Sequence, residues 1–596
     1  MHGSIRKRTI MTNWIHPSLL FILGSFLIPF LHGRVKKAYL ILIPVLAFIS
    51  VVTVSQGTYG VFEFLGHELI FGKVDKLSLI FSYIFTIMAF VGMVYSIHVT
   101  DTGQHMAAWF YIGSSLGVTF AGDYFSLFIF WEIMAFASAY LVFAGRQKSS
   151  VDAGFRYILI HIVGGLFLLA GILLHYGDTG SFLFGLLEQD GSMAFYLILL
   201  GFMLNAAVPP LHAWMPDAYP EASVTGAIFL ATYTSKTAVY VLIRAFAGTE
   251  ILIWIGAIMA LYCVMYATLQ NDFRRLLSYH IASQIGYMVA AIGLGTGLAI
   301  DGATAHAINN ILYKGILFMG AGAVIHITGK RRLTDLGGLY KAMPITLILY
   351  MIGGFAISGF PLLNGFISKG MIISAAGHDH QALIVLILLL AASGTFLSTT
   401  IKIPYYMFFG KASKIEAKEP PLNMLIGMGI AAVLCLLIGI YPGLFYGLLP
   451  YPVHFEPFTA DHVTGSLGLL MATVMGFFLL LKVIKPEHHI SLDVDWFYRM
   501  GTRIFLWFAR RPVCAYEGFI TEISNTVILP VIYFFARVGL WIDRNIVDLA
   551  VNSTANFVIN MSAFVRRVQT GLVQHYAVGM VIGIMLIIII YSLIGG

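Results

Sequence analysis

Apolar runs of about twenty residues follow one another along almost the whole chain, separated by short polar turns. A helix that crosses a bilayer needs about 20 mainly apolar residues. On that criterion the pattern predicts an all-α polytopic membrane protein with about sixteen transmembrane helices. Their starts fall near residues 16, 38, 76, 103, 123, 154, 193, 222, 250, 276, 302, 343, 381, 422, 464 and 576. The first run, from about His16 to Leu31, leads into basic residues and another apolar run, with no small-residue cleavage site. It reads as a span, not a cleaved signal peptide.

Loop charge gives the phase. Loops after spans 1, 5, 9, 11, 13 and 15 are basic, for example Arg34/Lys36/Lys37, Arg274/Arg275 and Lys330/Arg331/Arg332. Those after spans 6, 10 and 14 are acidic or neutral, with Asp178/Glu188/Asp190, Asp301 and Glu456/Asp461. Lysine and arginine excess marks the cytoplasmic side, so the odd loops are expected inside. Arg6-Lys7-Arg8 dissents.

Two spans are interrupted. Span 7 contains NAAVPPLHAW, where Pro209 and Pro210 remove main-chain donors, and span 12 contains ISGFPLLNGFISK, where Gly359 and Pro361 act alike. One such break would be a kink. Two breaks five spans apart predict two inverted five-helix repeats with discontinuous helices 7 and 12. Unwound backbone at membrane depth is tolerated where protein buries it or where it lines a wet cavity.

From about Pro486 to Tyr576, arginines such as Arg499, Arg503, Arg510 and Arg511 alternate with acidic residues and with apolar residues at helical intervals. This predicts an amphipathic C-terminal region lying laterally at the cytoplasmic interface, tied back by a last span from Val578 to Ile594. The expected organisation is N-terminal helices over 1–100, a first repeat over 101–250 and a second over 251–410. Further spans occupy 411–485, and the lateral extension with its anchor occupies 486–596.

Composition agrees with this pattern. Hydrophobic residues make up 59% of the 596, charged residues 11%, and the mean hydropathy is +0.87. Soluble enzymes, disordered chains and collagen-like repeats are excluded. Cys263, Cys435 and Cys514 are scattered and make neither a disulfide framework nor a metal set. The net charge of +7 fits basic cytoplasmic loops, and a nucleic-acid partner is not expected. There is no iron–sulfur cysteine set, flavin or nucleotide loop, or quinone motif, so neither a metal nor a cofactor is expected and any redox chemistry belongs to partners.

The candidate chemistry lies in ionisable residues inside the spans. Glu132 sits deep in span 5, Lys236 in span 8 and Lys314 in span 11, and Lys369 follows the break of span 12. Each costs roughly 2.5–3.5 kcal/mol at mid-bilayer on insertion scales, so such groups face the bundle interior and mark ion pathways. His306, Asn310 and Lys314 stand at i, i+4 and i+8 on one helix face, and Thr225, Thr232, Lys236 and Tyr240 form a similar stripe on span 8. Such a face can order water and pass protons, and a carboxylate such as Glu132 facing Lys236 would switch its protonation.

Structural readings compete. A Lys236–Glu132 pair could only lock helix register, and Lys369, Arg156 and Lys402 could snorkel to an interface. His161 reads as a packing histidine. His378/His380 and His488/His489 lie in loops without a ligand cluster. Gly113 to Gly117 fits close helix packing.

Several stretches resemble a known family. They are FWEIMAFASAYL, PPLHAWMPDAYPEASVTGAIFLATYTSKTAVYVLIR, NDFRRLLSYHIASQIGYM, HAINNILYKGILFMGAG with GKRRLTDLGGLYKAMP, and GFPLLNGFISKG. Together, over roughly residues 100–410, they are similar to the antiporter-like subunits of respiratory complex I (NADH:quinone oxidoreductase), membrane-bound hydrogenases and Mrp-type sodium/proton antiporters. The resemblance implies a hydrophilic axis along the membrane, with Glu132, Lys236, Lys314 and Lys369 at ion-translocating positions and His306 at the family's histidine. RNIVDL and RRVQTGLVQHYA resemble the lateral extension of the largest such subunits. One departure stands out: where members carry a lysine in helix 7, seven residues before the position of His212, this chain has Asn205. A second histidine beside the span-11 lysine is replaced by Asn310.

The expected function is a proton-translocating subunit, with sodium/proton antiport as one form, in a multisubunit complex of a bacterial inner membrane. Two alternatives stand beside it. One is a pumping subunit of a redox complex such as NADH:quinone oxidoreductase or a membrane hydrogenase. The other is a non-transporting scaffold or inorganic-carbon uptake subunit, for which Asn205 is the sequence support.

Overall fold

The structure is a computed structural model and describes residues 10–11, 14–64, 66–411, 415–487 and 493–594. It forms two compact units, Met1–Asp495 and Trp496–Gly596. His488 and His489 lie outside the described residues.

The first unit opens with a two-residue strand, β1 (Ile10–Met11), then α1 (Pro17–Ser25) and α2 (Gly33–Thr53). A hairpin follows, β2 (Gly57–Phe64) against antiparallel β3 (His67–Val74), with β1 parallel to β2. The apolar pattern predicts no strands here. The hairpin is held at its far side by Asp123, whose Oδ2 accepts from the Ile70 N–H at 2.7 Å.

After α3 (Lys76–Ser96) come α4 (Thr102–Phe120), α5 (Tyr124–Phe143) and α6 (Lys148–Thr179). The next span is split into α7 (Met193–Asn205) and the short α8 (Trp214–Ala218), and the one after into α9 (Gly226–Thr232) and α10 (Thr234–Phe246). The order then recurs. α11 (Ile251–Leu269), α12 (Phe273–Leu294) and α13 (Gly297–Thr328) precede a broken span, α14 (Pro344–Ser358) with α15 (Asn364–His378). The fifth is α16 (Ala382–Thr395), a π-helical turn over Phe396–Lys402, and α17 (Ile403–Met407). In both sets the third helix has 32 residues, the fourth is broken and the fifth is interrupted. That match is the five-helix repeat seen in structure.

The unit ends with α18 (Leu422–Ile440), α19 (Pro442–Tyr446), α20 (Ala460–Leu479) and α21 (Leu481–Ile484). Each expected span start has a helix beginning within about six residues of it, because span length is set by bilayer thickness. Aspartates at the N-caps of α3, α4, α5 and α12 accept from the first free N–H groups, which starts these helices sharply after short turns.

The loops sort by parity. Arg146 pairs with Asp101, Ser149 donates to Glu221, and Arg331 pairs with both Glu221 and Asp272. These residues follow spans 3, 5, 7, 9 and 11, so the odd loops gather on one face. On the even side, Asp123 binds the hairpin and the Tyr451 N–H donates to Asp301.

Glycine allows close packing between α11 and α12. A Cβ on Gly286 would lie 2.6 Å from Gly256 O, and one on Gly293 2.4 Å from Ile253 N. The Gly113 to Gly117 stretch packs likewise, with Gly113 against Ser18 and Gly117 against the Phe130 ring.

The first unit runs past the expected 485 boundary to Asp495, since Asp493 is held among its helices by hydrogen bonds. The second unit begins at Trp496, the second residue of α22 (Asp495–Phe508), and α23 (Cys514–Ile523), α24 (Leu529–Ile542) and α25 (Asp548–Val568) follow through π-helical turns. After a short turn comes α26 (Val573–Ile594), a second-unit helix long and apolar enough to span.

Candidate functional site

The span α9–α10 is buried along its whole apolar window and α13 along 78% of its own, so the residues they carry face protein and not lipid. Lys236, Lys314 and Lys369 are all buried. Each donates to a main-chain oxygen. Lys236 Nζ donates to Ala231 O at 2.8 Å and to Ser235 Oγ at 3.2 Å. Lys314 Nζ donates to Leu277 O at 3.1 Å, and Lys369 Nζ to Ile357 O at 2.6 Å.

Local structure frees one of these acceptors, Ile357 O, and breaks the span that carries Lys236. The Thr234 N–H turns to Tyr111 Oη at 2.8 Å, and the helix is interrupted at Tyr233. Ile357 O would normally accept from the fourth residue on, but that residue is Pro361, which has no N–H. Gly359, at φ +76°, ends α14 in the left-handed conformation that favours glycine. A carbonyl accepts from an ammonium or from a neutral amine, so loss of a proton from Nζ leaves the hydrogen bond intact.

Around Lys369 a polar file runs through the second repeat. Its Nζ lies 5.1 Å from the centroid of the Tyr287 ring, which is 5.7 Å from the His306 ring. His306 Nδ1 is 3.0 Å from Ser368 Oγ, beside Lys369 in sequence, and its Nε2 is 3.4 Å from Tyr313 Oη. Asn310 Nδ2 donates to the same Tyr313 Oη at 3.1 Å. His306, Asn310 and Lys314 thus share α13, and the structure adds Tyr287, Tyr313 and Ser368.

Two further members are not among the sites the sequence predicts. His280, one turn beyond Leu277 on α12, lies 2.6 Å from Ser398 Oγ in the π-helical turn. Lys402 ends that turn, buried, and donates to Thr268 O at 2.6 Å, so it does not snorkel. A histidine and a lysine within apolar runs were the available signals.

The first repeat is different. No ion pair joins Glu132 to Lys236 among the described residues, which corrects the expected facing pair. Glu132 Oε1 has no hydrogen-bond partner among them and lines a groove of about 720 Å³ between α4 and α5, with Met106, Phe110, Phe128 and Phe136. The span-8 stripe does not form one face either, because the helix is interrupted at Tyr233. Thr232 Oγ1 donates to Ile228 O, Tyr240 to Thr119 O, and Thr225 to Gln104 Oε1. Asn205 ends α7, with neither amide atom bonded among the described residues. Pro209 and Pro210 follow in the irregular turn before α8, and Arg156 pairs with Asp217 instead of snorkelling. His161 stacks on Tyr157 with centroids 4.0 Å apart, as a packing residue does.

Residues 121–397 match the NADH:quinone oxidoreductase/Mrp antiporter transmembrane family. Over this stretch the chain is similar to that family's membrane subunits. It is similar to a Na(+)/H(+) antiporter subunit of Staphylococcus haemolyticus, with 30% identity over 487 residues, covering 72% of this chain and 60% of that one. A Na(+)/H(+) antiporter subunit of Alkalihalophilus pseudofirmus is 28% identical over 650 residues, covering 96% and 75%. The chain therefore spans about three-fifths to three-quarters of the length of these two relatives. Its fold is also that of a chain in the archaeal membrane-bound sulfane sulfur reductase, a respiratory membrane complex, at TM-score 0.68 and 23% identity, covering 96% of this chain and 99% of that one. Both the lysine-bearing stripe of α13 and the break before Lys369 lie inside the matched stretch.

Proposed function

We propose that this chain translocates protons as one membrane subunit of a multisubunit complex in a bacterial inner membrane, with Lys314 and Lys369 carrying the second repeat and His306 as relay. The observation that carries the reading is the buried polar file at a helix break, in which Lys369 lies over the Tyr287 ring, that ring lies beside His306, and Tyr313 links His306 to Asn310 through its hydroxyl. Exchange for sodium is the form that the names of the similar subunits support. Glu132 on its apolar groove fits a surface covered by a neighbouring membrane subunit. The test is flux in vesicles holding the complete complex: Lys369→Ala abolishes ion coupling while the protein stays inserted, and unchanged flux removes Lys369 from the mechanism.

A second reading rests on the first repeat. Asn205 and Glu132 make no charge pair there, which favours a subunit whose first half is silent or serves as a scaffold. Membership in a redox complex is distinguished by iron–sulfur polypeptides that co-purify with the chain in mild detergent.

A further inference from the structure

In the first repeat one acid and one base do meet inside the protein. His212 lies in the irregular turn between α7 and α8, and its Nε2 is 3.2 Å from Asp493 Oδ2. Both side chains are at most 3% exposed, whereas every other ion pair described has a partner at least 37% exposed. Tyr262 Oη donates to Oδ1 of the same carboxylate at 2.6 Å, Tyr279 Oη donates to Oδ2, and the Val494 N–H donates to Oδ1 at 2.6 Å. Burial works to raise the Asp493 carboxyl, but His212, Tyr262 and Tyr279 hold it well below the usual carboxylate range. Tyr262 and Cys263 face it from α11, Tyr279 from α12 and His212 from the break, while the Tyr266 ring packs against those of Tyr262 and Tyr279.

Two further facts give the pair a direction. His212 Nδ1 is buried with no partner among the described residues, so the ring has a second port. Tyr262 lies seven residues before the end of α11 and Tyr279 six after the start of α12, which places Asp493 about 9–10 Å inward from the basic loop at Arg274.

We propose that Asp493 and His212 form the proton port of the first repeat on the basic-loop side, with Asp493 as a relay residue contributed from outside the repeats. The proposal rests on the proton-translocating reading above. In the step, a proton arrives on Nδ1 of His212, the Nε2–H bond breaks, and that proton bonds to Asp493 Oδ2. The imidazole is neutral again, in its other tautomer, and Asp493 passes the proton to water. Tyr262 and Tyr279 hold the carboxylate and release it by rotating their hydroxyls.

The test uses the complete complex in inside-out membrane vesicles, with proton flux normalised to assembled complex on native gels. Wild-type vesicles without flux overturn the translocation reading itself. Given wild-type flux, Asp493→Asn is expected to lower it at least about tenfold, and Asp493→Glu to recover most of it. The paired change Tyr262→Phe and Tyr279→Phe removes two donors to the carboxylate, making its protonated form easier to reach. Because the protonated carboxyl is the species the relay passes through, the variant is expected to change flux at pH 7 at least about threefold with assembly unchanged. An Asp493→Asn complex that keeps more than half of the flux overturns the proposal. So does loss of flux only in proportion to loss of assembly, as does unchanged flux in the assembled tyrosine variant, which decides the matter if Asp493→Asn does not assemble.

Discussion

Lys369 Nζ donates to Ile357 O at 2.6 Å, taking the place of the main-chain N–H that Pro361 lacks. The bond links the chemistry of a proline to the placement of an amine: the residue that breaks the helix also creates the acceptor that holds the charge. Carbonyl ends of helices carry partial negative charge, which suits an ammonium. Such an acceptor attracts a proton-bearing amine without fixing its proton as a carboxylate partner would.

Replacing Lys369 with methionine tests both halves of this link. Ile357 O is left buried without its donor, which costs about 1–3 kcal/mol. Melting in detergent is expected to fall accordingly, while flux through the complex is lost. Retained melting with lost flux would separate the amine's transport role from its capping role.

Gly365 sits where α15 begins beside the end of α14, and a Cβ there would lie 1.8 Å from Ala356 O. Gly365→Ala forces the two half-helices apart and displaces Lys369 from Ile357. Overpacking of this kind costs about 1–3 kcal/mol. Reduced melting together with at least a tenfold loss of flux is expected, whereas Gly377→Ala, with nothing within 4 Å, leaves both unchanged.

Arg331 joins the loops of the two repeats through Glu221 at 2.7 Å and Asp272 at 2.9 Å. Burial pushes the Glu221 carboxyl up, yet Arg331 and Ser149 hold it on balance below its ordinary 4.5. A lowered carboxyl stabilises the fold above its unfolded value and loses that contribution as pH falls through the folded one. With Arg331 41% exposed, the pair contributes at most about 1 kcal/mol. Arg331→Ala is therefore expected to lower melting slightly at pH 7, and the difference from wild type narrows below pH 4.5.

Asn205 is buried and its amide has no partner among the described residues. Substitution by leucine loses no hydrogen bond and is expected to leave melting unchanged or raised. Asn205→Lys restores an amine to the first repeat. Raised flux in that variant would favour the silent-first-half reading, and unchanged flux would favour an active route that bypasses this position.

The span starts, their odd and even loops and both helix breaks were legible in the chain because each is a local property. Apolar length must match a bilayer, and a proline deletes its donor wherever it stands. Lys236, Lys314 and Lys369 were legible for the same reason, as charges in apolar runs. Their partners were not. A helix that is apolar on all sides offers no face from which to read what it touches, and so Glu132 was expected to meet Lys236 when packing instead turns Lys236 to Ala231 and Glu132 to an apolar groove. The tertiary structure alone brings Asp493 to His212, 281 residues apart in sequence, and His280 to Ser398. Hydropathy dictates that these segments are buried together; only the packing of particular side chains, glycines between α11 and α12 among them, decides which polar groups end up within reach of a shared proton.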